Sequence, residues 1–265
     1  MNARLGLLAA AWLTPSVASL RAQAPADSAR AHRHLVRTVV VGSAIVAATA
    51  PFDRSLDRWA TSHHQRTLDR AATAVDPFGR ARFILPALAA SWGASRLTRH
   101  PHVANAVLRI AAGYLAADAA ESALKGSVGR HRPDSTGGSP WRFDPFSRTG
   151  EWHSFPSAHM AHATALAAGI AAESSRHSIA IAAFGVAALV GAQRIYLGAH
   201  WPSDVTASAV LGVAVGGGVT RALQRSGWPA HGLLSRARLN IEPTHDGVAA
   251  ETLLGRCGCC GLTTR

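Results

Sequence analysis

Six apolar runs rich in alanine and glycine set the limits on what this chain can fold into: 39–50, 83–94, 103–120, 158–172, 179–192 and 205–219. Runs of this length, separated by proline, glycine and charged residues, read as helices rather than strands. Only 39–50 carries a competing strand signal, from its β-branched residues, and its length and Ala/Gly content still favour a helix. Helices built on small side chains can approach one another closely. The expected fold is all-α, a bundle of six helices embedded in a membrane. Each run falls short of the ~20 residues of an untilted span, so spanning requires extension into the flanks or tilt. A soluble helical bundle is the alternative.

Composition bears on that choice. Hydrophobic residues make up 48% of the 265 and charged residues only 16%, low for a soluble domain. Mean hydropathy is +0.10, modest for a membrane protein. The formal net charge is +12, and Lys125 is the only lysine among the 27 basic residues. A solvated basic surface accounts for most of that excess, and attraction to anionic lipid or phosphate for the rest. No nucleic-acid recognition motif accompanies the charge, so no nucleic-acid partner is expected.

The flanks divide the chain further. Residues 1–24 have the form of a signal peptide: Arg4, a short apolar stretch over 5–13, Pro15, and Ala22-Gln23-Ala24. An N-terminal anchor is the alternative. Residues 25–37 read as a polar linker with a helix start, 38–225 as the functional domain and 226–265 as a tail. Residues 52–70 read as one amphipathic surface or interfacial helix, with His63 and His64 solvated rather than a metal pair. Asp76-Pro77-Phe78-Gly79 reads as a turn. Residues 135–155 form a long Gly/Pro/Ser loop carrying Trp141, Phe143, Phe146 and Trp152, a lid or a substrate-entry wall. In the tail, Asp246-Gly247 predicts a short hairpin over 238–250. Cys257, Cys259 and Cys260 match no common zinc spacing.

Three segments carry chemistry. Residues 125–133 place Lys125 and Arg132 at the two ends of a glycine-containing turn before Pro133, where a point charge and a bidentate fork can enclose an anion. Cations complementing a helix C-terminus would look the same. Residues 154–159 place Ser157 at the start of an apolar helix, whose free N–H groups suit a phosphate oxygen. His159 in the first turn would face the same anion as a proton donor, with His162 in a packing or supporting role. Residues 193–204 place Arg194, His200 and Asp204 between two apolar runs. Asp204 could accept the Nδ1 proton of His200 and leave Nε2 free for attack.

The order Lys-x6-Arg-Pro, Pro-Ser-x-His, Arg-x5-His-x3-Asp resembles the type 2 phosphatidic acid phosphatase (PAP2) family, which shares its core with vanadium haloperoxidases and bacterial acid phosphatases. The resemblance covers about residues 38–220. Ala158 stands where many members have glycine, and Gln193 where many have serine. The resemblance implies that Lys125, Arg132, Ser157 and Arg194 bind phosphate, that His200 attacks phosphorus, that Asp204 orients it, and that His159 is the general acid and base. It implies no metal and no cofactor. The expected activity is hydrolysis of phosphomonoesters or diphosphates, of lipids for choice, at the outer (periplasmic) face of a cell membrane. A soluble periplasmic acid phosphatase and, less well supported, a vanadate-dependent haloperoxidase stay open.

Overall fold

The computed structural model describes residues 25–229, 239–244 and 247–252. The signal-like segment and the three cysteines lie outside the described residues. Two compact units are distinguished, Met1–Ala44 and Ile45–Arg265. The described part of the first is helical: α1 runs Pro25–Thr49, so the stretch expected as a linker belongs to a helix.

All six apolar runs are helical, on α1, α4 (Ala81–Leu97), α5 (Pro101–Val128), α6 (Ala158–Glu173), α7 (His177–Tyr196), and α8 (Pro202–Leu211) with α9 (Gly218–Arg225). A π-helical segment, Gly212–Gly217, joins α8 to α9 in one rod. Four of the runs extend into their flanks as spanning requires, whereas α4 and α6 stop at 17 and 16 residues. Val36–Ser62, Pro101–Val128, His177–Tyr196 and Pro202–Arg225 are long and apolar enough to cross a membrane. Their outward side chains include Leu115, Ile181 and Leu189, which stay exposed.

Residues 52–70 depart from expectation. Two short helices replace the single one, α2 (Asp53–Ser62) and α3 (Arg66–Val75), with His63 and His64 at the break. Asp53, expected on a solvated face, is fully buried. Among the described residues of the second unit, the long helices therefore carry two extra short ones, and the helix count departs to that extent from six. The predicted hairpin is present in the tail as β1 (Leu239–Thr244) paired antiparallel with β2 (Gly247–Thr252).

Helix α6 forms the centre of the second unit, with nine of its 16 residues buried, five of them alanine. It packs against α5, α7, α8 and the π-helical segment. Small residues permit this: a Cβ on Gly212 would lie 2.1 Å from Thr164 Oγ1, and one on Gly216 would lie 2.6 Å from Ala165 Cβ. Close backbone approach replaces bulky side chains as the packing device. The N-terminus of α6, the C-terminus of α5 and the α7–α8 turn converge, and they bring the three chemistry-bearing segments with them.

Candidate active site

His200 lies in the turn between α7 and α8 and is buried. Its Nδ1 is 2.6 Å from the carbonyl oxygen of Ser154. A carbonyl can only accept, so Nδ1 carries the proton and Nε2 carries the lone pair. Burial, and then the charges of Arg132 and Lys125, hold the imidazole's pKa well below the ordinary 6.5. A neutral imidazole with a free Nε2 is a nucleophile at neutral pH.

Asp204 is not the acceptor expected from the sequence. It sits in the first turn of α8, after Pro202, as predicted. Its carboxylate turns away from the imidazole, because it caps the helix and neutralises a buried arginine. Oδ2 accepts from the Trp201 N–H at 3.0 Å and from Ser154 Oγ at 2.5 Å. Oδ1 accepts from Arg130 Nη1 at 2.5 Å. Asp204 therefore reaches His200 through Ser154, which presents its hydroxyl to the aspartate and its carbonyl to the histidine.

Sequence reasoning missed Arg130, which the spacing Lys-x6-Arg passes over. Its side chain is buried and spans two carboxylates, with Nη2 donating to Asp53 Oδ2 at 2.7 Å and Nε donating to the Pro140 carbonyl at 2.9 Å. Asp53 also accepts from the Ser203 N–H at 2.9 Å and from its Oγ at 2.6 Å. Every group in this Asp53–Arg130–Asp204–Ser154 network is buried and hydrogen-bonded, the condition under which buried charges persist. The only hint in the sequence was a third cation packed between Gly129 and Pro133.

On the opposite side, Ser157 is the residue before α6, as predicted, yet its hydroxyl does not cap the helix. Its N–H donates to Ser208 Oγ at 2.6 Å, and its own Oγ is buried with no hydrogen-bond partner. His159, in the first turn, likewise has a buried Nε2 with no hydrogen-bond partner, 3.4 Å from Asp76 Oδ1. Two unsatisfied polar atoms on the first turn of one helix mark a place prepared for a polar ligand.

Arg194, at the end of α7, donates from Nη2 to Asp76 Oδ1 at 3.1 Å and from Nε to Gln193 Oε1 at 2.6 Å. Gln193 thus braces the arginine through the longer side chain that replaces serine. Asp76 also pairs with Arg80. It was read only as part of a turn, although a carboxylate beside apolar runs was a signal. Lys125 pairs with Glu121 at 2.5 Å, and Arg132 Nε is buried without a hydrogen-bond partner. His162 bridges the Gly79 carbonyl at 3.1 Å and Asp118 at 2.6 Å, which pins the turn carrying Asp76 and fits the supporting role expected of it.

Residues 106–228 match the family model of the PAP2 superfamily. Two curated relatives, lipid A 1-phosphatases of Rhizobium etli and Rhizobium johnstonii, are each 37% identical over 90 residues, 34% of this chain. The match spans only 38% and 36% of their respective lengths. Among solved structures, the chain is similar to a transmembrane PAP2 type phosphatidylglycerolphosphate phosphatase from Bacillus subtilis, with TM-score 0.54 and 20% identity over 72% of this chain and 96% of that one. It also aligns with Aquifex aeolicus LpxE at TM-score 0.47 and 24% identity, covering 62% and 92% of the two chains. The matched segment runs from the chain's third apolar helix to the end of its last and contains all three motifs, and over those residues the chain is similar to the PAP2 superfamily.

Proposed function

We propose that this protein is a phosphatase that hydrolyses the phosphate ester of a membrane lipid through a phosphohistidine on His200. The observation that carries this reading is the commitment of His200 Nδ1 to the Ser154 carbonyl, which leaves Nε2 free where Lys125 and Arg132 bear on the ring. Lys125, Arg132 and Arg194 hold the phosphoryl oxygens, with Ser157 Oγ as a further donor. Cations placed around a phosphoryl group neutralise the charge that spreads over its equatorial oxygens in the transition state.

The steps balance as follows. His200 Nε2 attacks phosphorus and the ester P–O bond breaks. The leaving oxygen takes its proton from His159 Nε2. His159, now neutral, accepts a proton from water as that water attacks the phosphohistidine. The P–N bond breaks, inorganic phosphate leaves, and His159 is again protonated. Burial and then Arg194 push the His159 pKa down to about 4, with Asp76 opposing them; the negative charge of a bound phosphate ester adds to that of Asp76 in favouring the protonated form the first step uses.

Among the described residues, four helical segments of membrane-crossing length and apolarity support a lipid substrate, and the lipid phosphatases among the relatives support the same class. The signal-like N-terminus supports a site facing the periplasm. Phosphate release by the detergent-solubilised protein, compared across lipid monophosphates, lipid diphosphates and soluble aryl phosphates, tests the reading. Activity on lipid phosphates that disappears in His200→Ala, with radiolabelled phosphate trapped on histidine in the wild type, is expected. Near-wild-type release by His200→Ala would overturn it. Preference for soluble esters would favour a general acid phosphatase.

A further inference from the structure

The loop between α5 and α6 exposes three aromatic side chains, with Trp141 62%, Phe143 49% and Phe146 77% accessible. Solvent is a poor neighbour for such a cluster. Its position in the fold gives it another. The Phe146 N–H donates to the carbonyl of Gly126 at 3.0 Å, and the Asp144 N–H donates to that of Gly129 at 2.7 Å. Both acceptors belong to the end of α5, a helix long and apolar enough to cross the membrane. The backbone of Phe146 thus runs beside the last turn of that span. Leu124, on that same turn, is also exposed. Phe146 is held there in a left-handed backbone conformation, φ +62°, uncommon for a bulky residue and maintained only where the surroundings fix it.

Charge completes the pattern. Arg142 and Arg148 are exposed among the aromatics, with one exposed acid, Asp144, between Phe143 and Phe146. The Arg142 guanidinium stacks 5.4 Å from the Trp152 ring. Aromatic rings and arginines at the end of a span are the residues that settle at the level of lipid headgroups.

We infer that Trp141, Phe143 and Phe146 seat this loop in the interfacial zone of the bilayer, with Arg142 and Arg148 against anionic headgroups. The loop is tied by backbone bonds to both sides of the site: His131 N–H to the Arg142 carbonyl, Arg132 N–H to that of Glu151, and Ser154 N–H to that of Arg130. Seating the loop therefore fixes the depth of Arg132 and of the Ser154 carbonyl that holds His200. A lipid phosphate then meets the cations without leaving its leaflet. This consequence for substrate rests on the proposed lipid phosphatase activity; the seating itself does not.

The test uses the full chain reconstituted in vesicles of zwitterionic lipid, with and without added anionic lipid. One arm places an environment-sensitive fluorophore at position 146 through Phe146→Cys, with the three native cysteines changed to serine. Blue-shifted emission that is quenched by brominated phospholipid is expected, with stronger quenching when anionic lipid is present. Water-like, unquenched emission overturns the proposal. The second arm compares wild type with a Trp141→Ser/Phe146→Ser variant. KM for lipid phosphate in vesicles should rise about tenfold, the equivalent of one large apolar side chain lost from an apolar phase, with kcat/KM for a soluble aryl phosphate unchanged. An equal fall on both substrates would assign the aromatics to shaping the site and overturn the seating. If wild type hydrolyses neither substrate, the activity reading fails, and the fluorescence arm still decides the seating.

Discussion

Asp204→Asn separates two accounts of how His200 is held. If Asp204 took the Nδ1 proton directly, the amide would present a donor to a donor, and the imidazole would lose its productive tautomer. That failure costs ~10⁴ in kcat in a nucleophile–histidine–aspartate site. Here the Ser154 carbonyl takes that proton, so the tautomer survives the substitution. What is lost is one of two counter-charges on buried Arg130, together with the acceptor either for Arg130 Nη1 or for both the Trp201 N–H and the Ser154 hydroxyl, which share Oδ2. Removing one member of a buried ion pair costs ~3–5 kcal/mol. Arg130 keeps Asp53, which places the cost near the lower end, about 3 kcal/mol. In thermal unfolding of the detergent-solubilised protein this corresponds to a fall in Tm of roughly 6–12 °C. Turnover per folded molecule should fall only ~10–100-fold, the effect of a turn shifted by a fraction of an ångström. The assay is paired: Tm, and kcat normalised to folded protein. A variant with wild-type Tm and a ~10⁴-fold loss of kcat would refute the reasoning and return Asp204 to direct contact with the imidazole.

His159→Ala should abolish turnover of alkyl phosphates, whose leaving oxygen needs a proton. An aryl phosphate should still phosphorylate His200, and the phosphoenzyme should accumulate because no base activates water; a burst of the released aryl alcohol, followed by a stalled steady state without matching phosphate release, is the readout. For pH, burial and then Arg132 and Lys125 hold His200 neutral, so the acid limb of kcat/KM should lie below pH 6.5, and Arg132→Gln should move it upward. The same depressed pKa means the unfolded chain binds a proton that the native state refuses. His200 therefore costs stability as pH falls through 6.5, and His200→Gln should flatten that part of the Tm–pH curve. Gly129→Ala should detach the α5–α6 loop: the position has φ +59°, and a Cβ would lie 1.8 Å from the Asp144 carbonyl oxygen. A cost of at least ~2 kcal/mol and new protease cutting within 135–155 are expected; unchanged proteolysis would contradict the packing.

Much of this arrangement was legible in the sequence, for identifiable reasons. Apolar periodicity located all six long helices because burial against lipid or neighbouring helices writes itself into composition. Pro202 marked the start of α8, and Ser157 the residue before α6, because helix ends have local chemistry. The longer-range partners were hidden. Asp53 and Arg130 are 77 residues apart in sequence, and nothing local distinguishes a buried acid at a helix start from a solvated one. Asp76 read as turn chemistry because Asp-Pro-Phe-Gly satisfies a turn whether or not the carboxylate reaches an arginine. The Asp204–His200 pairing failed for a related reason. A spacing of four residues is compatible with contact but does not compel it, and here the helix start and Arg130 claimed the carboxylate first.

The buried network also bears on where the functional unit can be cut. The family match begins at residue 106, yet Asp53 and Asp76 precede it and supply carboxylates to Arg130 and Arg194. A fragment trimmed to the matched residues would keep every motif and lose the acids that hold two of its arginines. The similarity boundary marks the shared chemistry, whereas the physical boundary of a self-sufficient catalytic body lies at or before the first turn of α2. Chimaeras that exchange the matched segment between relatives should therefore carry the preceding helix pair with it, as one inherited piece.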